Sequence, residues 1–228
     1  MGKNIPYKDS ERIGYLVVEA VIFDMDGVIV DSEYTFFQAK TAILREEGIT
    51  VDESYHYQFM GTTGQFMWEK MKEEFHLPQS VERYILEMNQ RRKAIIARDG
   101  IKMIPFVDGF IKELKQKGIP LGVASSSSRQ EILTNLETLH LLDYFQEVVS
   151  SEEVAYSKPA PDVFLEVAKR LNIASNQCIV IEDTKNGSEA AKAAGMYCIG
   201  YVNPHYPRQA MNVDECISDF RNASIQLP

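Results

Sequence analysis

Short apolar runs recur along the chain, and apolar residues at helical spacing fill most of the gaps between them. VVEAVIFD (17–24), IPLGVAS (119–125), EVVS (147–150), QCIVIED (177–183) and MYCIGYV (196–202) are near-continuous apolar segments of strand length. Between the later ones, RQEILTNLETLHLL (129–142) and DVFLEVAKRLNI (162–173) carry amphipathic patterns. In the second, Phe164, Val167, Ala168 and Leu171 form one stripe, and Pro161 sits where a first helical turn tolerates it. Strands without polar alternation are buried on both faces. Alternating with helices, they predict an α/β core with a parallel sheet.

Residues 33–100 break this rhythm. SEYTFFQAKTAILREEG, TGQFMWEKMKEEF and SVERYILEMNQRRKAIIARDG read as three amphipathic helices, two of them closed by Gly48 and Gly100, with no strand among them. The pattern therefore predicts a core of residues 1–32 and 101–228 and a helical domain of residues 33–100 inserted after the first strand. The first sixteen residues, MGKNIPYKDSERIGYL, read as a polar extension without the apolar middle of a signal peptide.

Composition narrows the function. The 228 residues are 45% hydrophobic and 25% charged, an ordinary globular balance. A formal net charge of -9 argues against nucleic-acid binding, which needs excess Lys and Arg to displace counterions. No run approaches the ~18 apolar residues of a membrane helix. The three cysteines, Cys178, Cys198 and Cys216, show no CxxC spacing, and two lie in apolar strands. Buried free thiols point to a cytoplasmic setting.

The polar residues at the strand ends carry the candidate chemistry. Asp24 and Asp26 follow the first strand, and in an extended chain residues i and i+2 face the same way. Gly27 then permits a sharp turn. Two carboxylates that close raise each other's pKa, so they call for a cation. A Mg²⁺ site with a nucleophilic or acid–base carboxylate, a glycosyltransferase-type DxD and a pair of solvated acids all fit this short motif. SSSSR (125–129) suits either a flexible linker or an anion site at a helix N-terminus. Lys158, in SKPAPD, is a solvated charge or a cation whose backbone Pro159 holds extended before a helix. Glu182 and Asp183 are helix N-terminal acids or further oxygen ligands. Each motif alone is weak. In a parallel sheet the four strand ends can share one edge, and together they offer carboxylates for Mg²⁺, a carboxylate nucleophile, and hydroxyl and ammonium groups for an anion. That set suits phosphoryl transfer.

DMDGVIVDSE, the serine after GVAS, SKPAPDVF and IEDTKNG, in this order over about residues 17–202, resemble the four motifs of the haloacid dehalogenase superfamily. They are most similar to its branch of sugar-phosphate phosphatases and β-phosphoglucomutase-like enzymes. The resemblance implies a Rossmann-like three-layer core and identifies residues 33–100 with the family's helical cap. It implies that Asp24 is the nucleophile that forms an aspartyl-phosphate. Asp26 would be the general acid and base, its backbone carbonyl also touching the metal. Ser125, Ser126 and Lys158 would hold the phosphoryl group, and Thr62 and Thr63 would belong to the cap's substrate-facing loop. Mg²⁺ would be held by Asp24, Asp26 and Asp183, with Glu182 a ligand or a supporting partner. Asp26 also argues against the dehalogenase branch, whose halide leaves unprotonated, and against the ATPases, which place threonine there.

One departure decides between branches. β-Phosphoglucomutases carry a histidine about ten residues beyond the second aspartate and an arginine after the cap's first turn. Here these places fall on Thr35 or Phe36 and on Gly64 or Gln65. A mutase needs cationic grips on a second phosphate; Lys70, Lys72, Arg91 and Arg92 are either substitutes for them or, as helix charges usually are, solvated. Phe36 and Phe37 are candidates for the pocket wall or for core packing. The expectation is a cytoplasmic, Mg²⁺-dependent phosphatase of a small phosphorylated metabolite, monomeric or weakly dimeric. A phosphosugar mutase is the alternative, and a non-catalytic phosphometabolite-binding protein is the alternative of another class.

Overall fold

The computed structural model describes residues 18–60 and 62–223, and the backbone of a short antiparallel pair, β1 (Ile5–Pro6) with β2 (Tyr15–Leu16). The rest of the expected N-terminal extension lies outside the described residues. The chain forms two compact units, Met1–Val30 with Met103–Pro228, and Asp31–Lys102.

The first unit is built on a six-stranded sheet: β3 (Ala20–Phe23), β4 (Leu121–Ser125), β5 (Glu147–Ser150), β6 (Cys178–Glu182), β7 (Tyr197–Tyr201) and β8 (Glu215–Ile217). All pairings are parallel, in the order β5-β4-β3-β6-β7-β8. Strands β3, β4 and β6 are buried throughout, as their unbroken apolar sequences require. Helices cover both faces. On one, Ala20 and Ile22 pack with Val163, Phe164 and Val167 of α6 (Asp162–Leu171) and with Ala190 and Ala191 of α7 (Lys185–Ala193). On the other, Phe23 meets Phe110 of α4 (Val107–Gln116) and Phe145 edge to face. This is the Rossmann-like α/β fold expected. From β3 the chain builds outward in both directions, so β3 marks the point where strand order reverses, and its carboxyl end is where open α/β sheets bind ligands.

Three elements differ from the sequence reading. Helix α5 (Arg129–Thr138) stops short of residue 142, because His140 adopts a left-handed conformation (φ 56°) and a 3₁₀ turn follows at Leu142–Tyr144. Helix α4 was not anticipated, although Val107, Phe110, Ile111 and Leu114 form its buried stripe. Nor was β8, a three-residue edge strand with one buried side chain.

The second unit contains α1 (Glu33–Glu46), α2 (Gly64–Phe75) and α3 (Val81–Asp99), with a 3₁₀ stretch at Glu53–Phe59. It has its own core, in which Trp68 stacks on Tyr84 at 4.9 Å. Thr63 and Ser80 cap α2 and α3 by accepting from backbone N–H groups of the first turns. Gly48 and Gly100 follow α1 and α3 with positive φ.

Candidate active site

Asp24 follows β3 at the centre of the sheet edge and is buried. Its backbone N–H donates to Ile181 of β6, so its position is fixed by the neighbouring strand. The next residues fold back on themselves. The Met25 carbonyl accepts from Ile29 and Val30, and Gly27 N–H donates to the Val30 carbonyl at 2.7 Å. Gly27 makes this possible with φ +88°, a conformation that suits glycine. It serves a second purpose too. A β-carbon there would overlap the Asp183 carboxylate, so the acid at the end of β6 is seated directly against the Asp26–Gly27 turn.

Lys158 joins three strand ends. Its Nζ donates to Asp24 Oδ1, to Glu182 Oε1 at 2.8 Å and to the Ala124 carbonyl at 3.1 Å. The ammonium also lies 4.7 Å from the Phe164 ring centre. Glu182 has little capacity left for another partner. Its Oε2 accepts from Asp183 N–H, Thr184 N–H and the Thr184 hydroxyl, at 2.8–2.9 Å. Gly187 opens the space for that carboxylate, because a β-carbon at this place would collide with it.

Ser125, at the end of β4, is buried and accepts from Ser127 N–H at 3.0 Å. Ser126 is exposed. Ser127 donates its hydroxyl to Asp26 Oδ2 at 2.7 Å, and Ser150 in turn donates to the Ser127 carbonyl. Ser128 caps α5. The four serines thus have four different places, which a homopolymeric run could not announce. Ser127, Ser150 and Thr184 were absent from the sequence reading. Their signal was the hydroxyl type next to strand ends, which alone does not separate a caged group from a solvated one.

Thr62 and Thr63 belong to the other unit. Thr62 donates to the Phe59 carbonyl, and Thr63 is the α2 cap. Of the two phenylalanines, Phe37 is core and stacks on His56, whereas Phe36 is half-buried beneath the Arg92 guanidinium. Lys70 pairs with Glu73, Lys72 donates to the Leu77 and Gln79 carbonyls, and Arg91 pairs with Glu46 and Glu87.

The core site carries excess negative charge: Asp24, Asp26, Glu182 and Asp183 against Lys158. Burial, reinforced by the charges of Glu182 and Asp26 and opposed by Lys158, pushes the Asp24 carboxyl up to about 8. Lys158 is held above its ordinary value: burial pulls it down, and Asp24 and Glu182 outweigh that pull. Among the described residues no three His, Cys, Asp or Glu side chains form a closed metal cage. Magnesium does not require one, because it binds through one or two carboxylates and completes its shell with water and phosphate oxygens. Asp24 and the Asp183 carboxylate against the Gly27 turn fit such an open donor set.

Fold and site together define a doubly wound α/β protein with a buried cluster of carboxylates and one lysine at the strand switch point. Residues 21–201 match the family model described as haloacid dehalogenase-like hydrolase. The chain is 34% identical over 179 residues to a phosphorylated carbohydrates phosphatase of Thermotoga maritima, covering 78% of this chain and 82% of the relative. It is 32% identical to a fructose-1-phosphate phosphatase of Escherichia coli, covering 77% and 92%. A haloacid dehalogenase-like protein of Agrobacterium tumefaciens superposes with a TM-score of 0.80 at 27% identity, covering 90% and 95%. The chain belongs to the haloacid dehalogenase-like hydrolase family.

Proposed function

We propose that this hydrolase is a Mg²⁺-dependent phosphatase of small phosphorylated metabolites. The observation that carries the reading is Asp24, a buried carboxylate at the strand switch point, bonded to a lysine that Glu182 and the Ala124 carbonyl hold in place. Nucleophile and cation are preorganised, and phosphoryl transfer depends on positioning and charge neutralisation.

One Asp24 oxygen attacks phosphorus as the bond to the substrate's alcohol oxygen breaks. Asp26, oriented by the Ser127 hydroxyl, gives its proton to that oxygen, and the alcohol departs. Water then attacks the aspartyl-phosphate, its proton passes to Asp26, and inorganic phosphate leaves with both carboxyls restored. Lys158 follows the phosphoryl oxygens, and Ser125 donates its hydroxyl proton to one of them while its oxygen accepts from Ser127. Mg²⁺, held by Asp24, Asp183 and the Asp26 carbonyl, would neutralise phosphate charge and favour the ionised nucleophile. We assign Glu182 to positioning Lys158 rather than to the metal, because its oxygens are already committed.

The phosphatase names of the relatives support hydrolysis over phosphate migration. Cys178 and Cys198 are buried free thiols, which supports a cytoplasmic setting. The test is a screen of phosphorylated metabolites for phosphate release with Mg²⁺. Release from one or more sugar phosphates is expected. A chain that hydrolyses none, nor any aryl phosphate, overturns the assignment and leaves a binding protein.

A further inference from the structure

Ser150 ends β5 in register with Ser125 of β4, and it is fully buried. A buried hydroxyl needs partners, and this one finds them in the loops beyond the strands. Its Oγ donates to the Ser127 carbonyl at 2.7 Å and accepts from Glu152 N–H at 3.1 Å. Its N–H donates to Glu153 Oε1 at 2.9 Å, and Arg129 and Arg170 donate to the two oxygens of that carboxylate. Backbone and hydroxyl of Ser150 are therefore both fixed. Ser127, in turn, is held on both sides: its carbonyl by Ser150, its N–H by Ser125 Oγ at 3.0 Å. So held, it donates its hydroxyl to Asp26 Oδ2 at 2.7 Å, and among the described residues no other donor reaches the Asp26 carboxylate. The order of contacts is Glu153, Ser150, Ser127, Asp26. Without the Ser150 hydroxyl the peptide after Ser127 loses its anchor, and a small shift there moves the one group that aims Asp26.

We infer that Ser150 is a positioning residue for proton transfer: through the Ser127 peptide it sets the Ser127 hydroxyl, and through that hydroxyl the Asp26 carboxyl that protonates the leaving oxygen. This rests on the phosphatase reading and adds to it a residue buried away from the substrate. A purely structural role, as cap of the 3₁₀ turn at Ser151–Glu153, would lower stability and leave leaving-group selectivity untouched.

Two esters of similar shape, phenyl phosphate and 4-nitrophenyl phosphate, test it with Mg²⁺ and the full chain. 4-Nitrophenolate is a stable anion and departs with little help, whereas phenolate is a stronger base and gains from a well-aimed acid. The ratio of kcat/KM values reports the step in which the leaving group departs and cancels any general loss of active enzyme. Ser150→Ala should lower kcat/KM for phenyl phosphate by about 5-fold or more beyond its effect on 4-nitrophenyl phosphate, the worth of one hydrogen bond. Ser127→Ala should shift the ratio in the same direction, and the double variant should shift it no further than Ser127→Ala alone, because both act through one carboxyl. A cooperative thermal transition checks that each variant folds. Where Ser150→Ala does not fold, Ser150→Cys keeps the shape with a weaker donor and carries the same expectation. Equal losses for the two esters in the folded Ser150 variant, or additive shifts in the double variant, overturn this inference alone. A parent that releases phosphate from neither ester nor any metabolite overturns the phosphatase reading, and this inference with it.

Discussion

Lys158 holds the core site's charges together, and its removal acts on both stability and catalysis. It is 6% exposed as a side chain and lies between two buried carboxylates. Breaking such an arrangement costs about 3–5 kcal/mol, because the partners remain buried without their cation. Lys158→Ala is therefore expected to lower the melting temperature and to reduce kcat/KM by at least 10-fold; a variant with parental values for both contradicts the role. Ser125→Ala should reduce kcat/KM by roughly 10- to 150-fold through loss of one hydrogen bond to a charged group. Ser126→Ala, at an exposed position, should change it little. Inverse results for the two serines would shift the contact by one residue. At this scale the sequence revealed the types of the candidate residues but not how each is held. DxD and the lysine are legible from their places at strand ends. The commitment of Glu182 to Lys158 and Thr184 is not, because it depends on the space that Gly187 leaves.

Among the elements, α1 carries an internal cost. Burial, with a smaller contribution from Arg92 and an opposing one from Glu33, pushes the Lys40 ammonium down from 10.5 to about 8. A base whose folded pKa is depressed binds fewer protons folded than unfolded, so stability rises with pH across the window between the two values. The penalty is fully present below pH 8 and disappears as pH rises towards 10.5. The interval corresponds to up to about 3 kcal/mol. Lys40→Met should thus melt above the parent at pH 7, and the gap should narrow in unfolding curves taken from pH 8 to 10; a variant less stable than the parent at pH 7 contradicts this. Most elements were legible. Unbroken apolar runs marked the central strands, and glycines and cap residues marked the ends of the inserted helices. Helix α4 was hidden by its entry: Phe106, at the N-cap position, adopts a left-handed conformation and offers no side-chain cap, and Gly109 interrupts its first turns. Edge strand β8 is too short and too exposed to leave a pattern.

At the scale of the whole molecule, the competing outcomes are hydrolysis and phosphate migration. The nature of the product separates the two. With β-glucose 1-phosphate, a trace of the 1,6-bisphosphate and Mg²⁺, the account predicts free phosphate, or no reaction if this sugar does not fit, and little glucose 6-phosphate. Rapid formation of glucose 6-phosphate without stoichiometric phosphate would assign the chain to the mutases. The order of the four motifs and the helical insert after the first strand were legible because both are properties of chain order. The burial of Lys40 was not, since Lys40 falls within an amphipathic helix where a lysine reads as a solvated charge. The central claim is that Asp24 carries the phosphoryl group, and acid-quenching the enzyme during turnover of a labelled phosphate monoester tests it most directly. The account predicts label trapped on Asp24 of the parent, located by peptide mass spectrometry, and neither label nor turnover in Asp24→Asn. Turnover by Asp24→Asn within tenfold of the parent, or label on another residue, would contradict it.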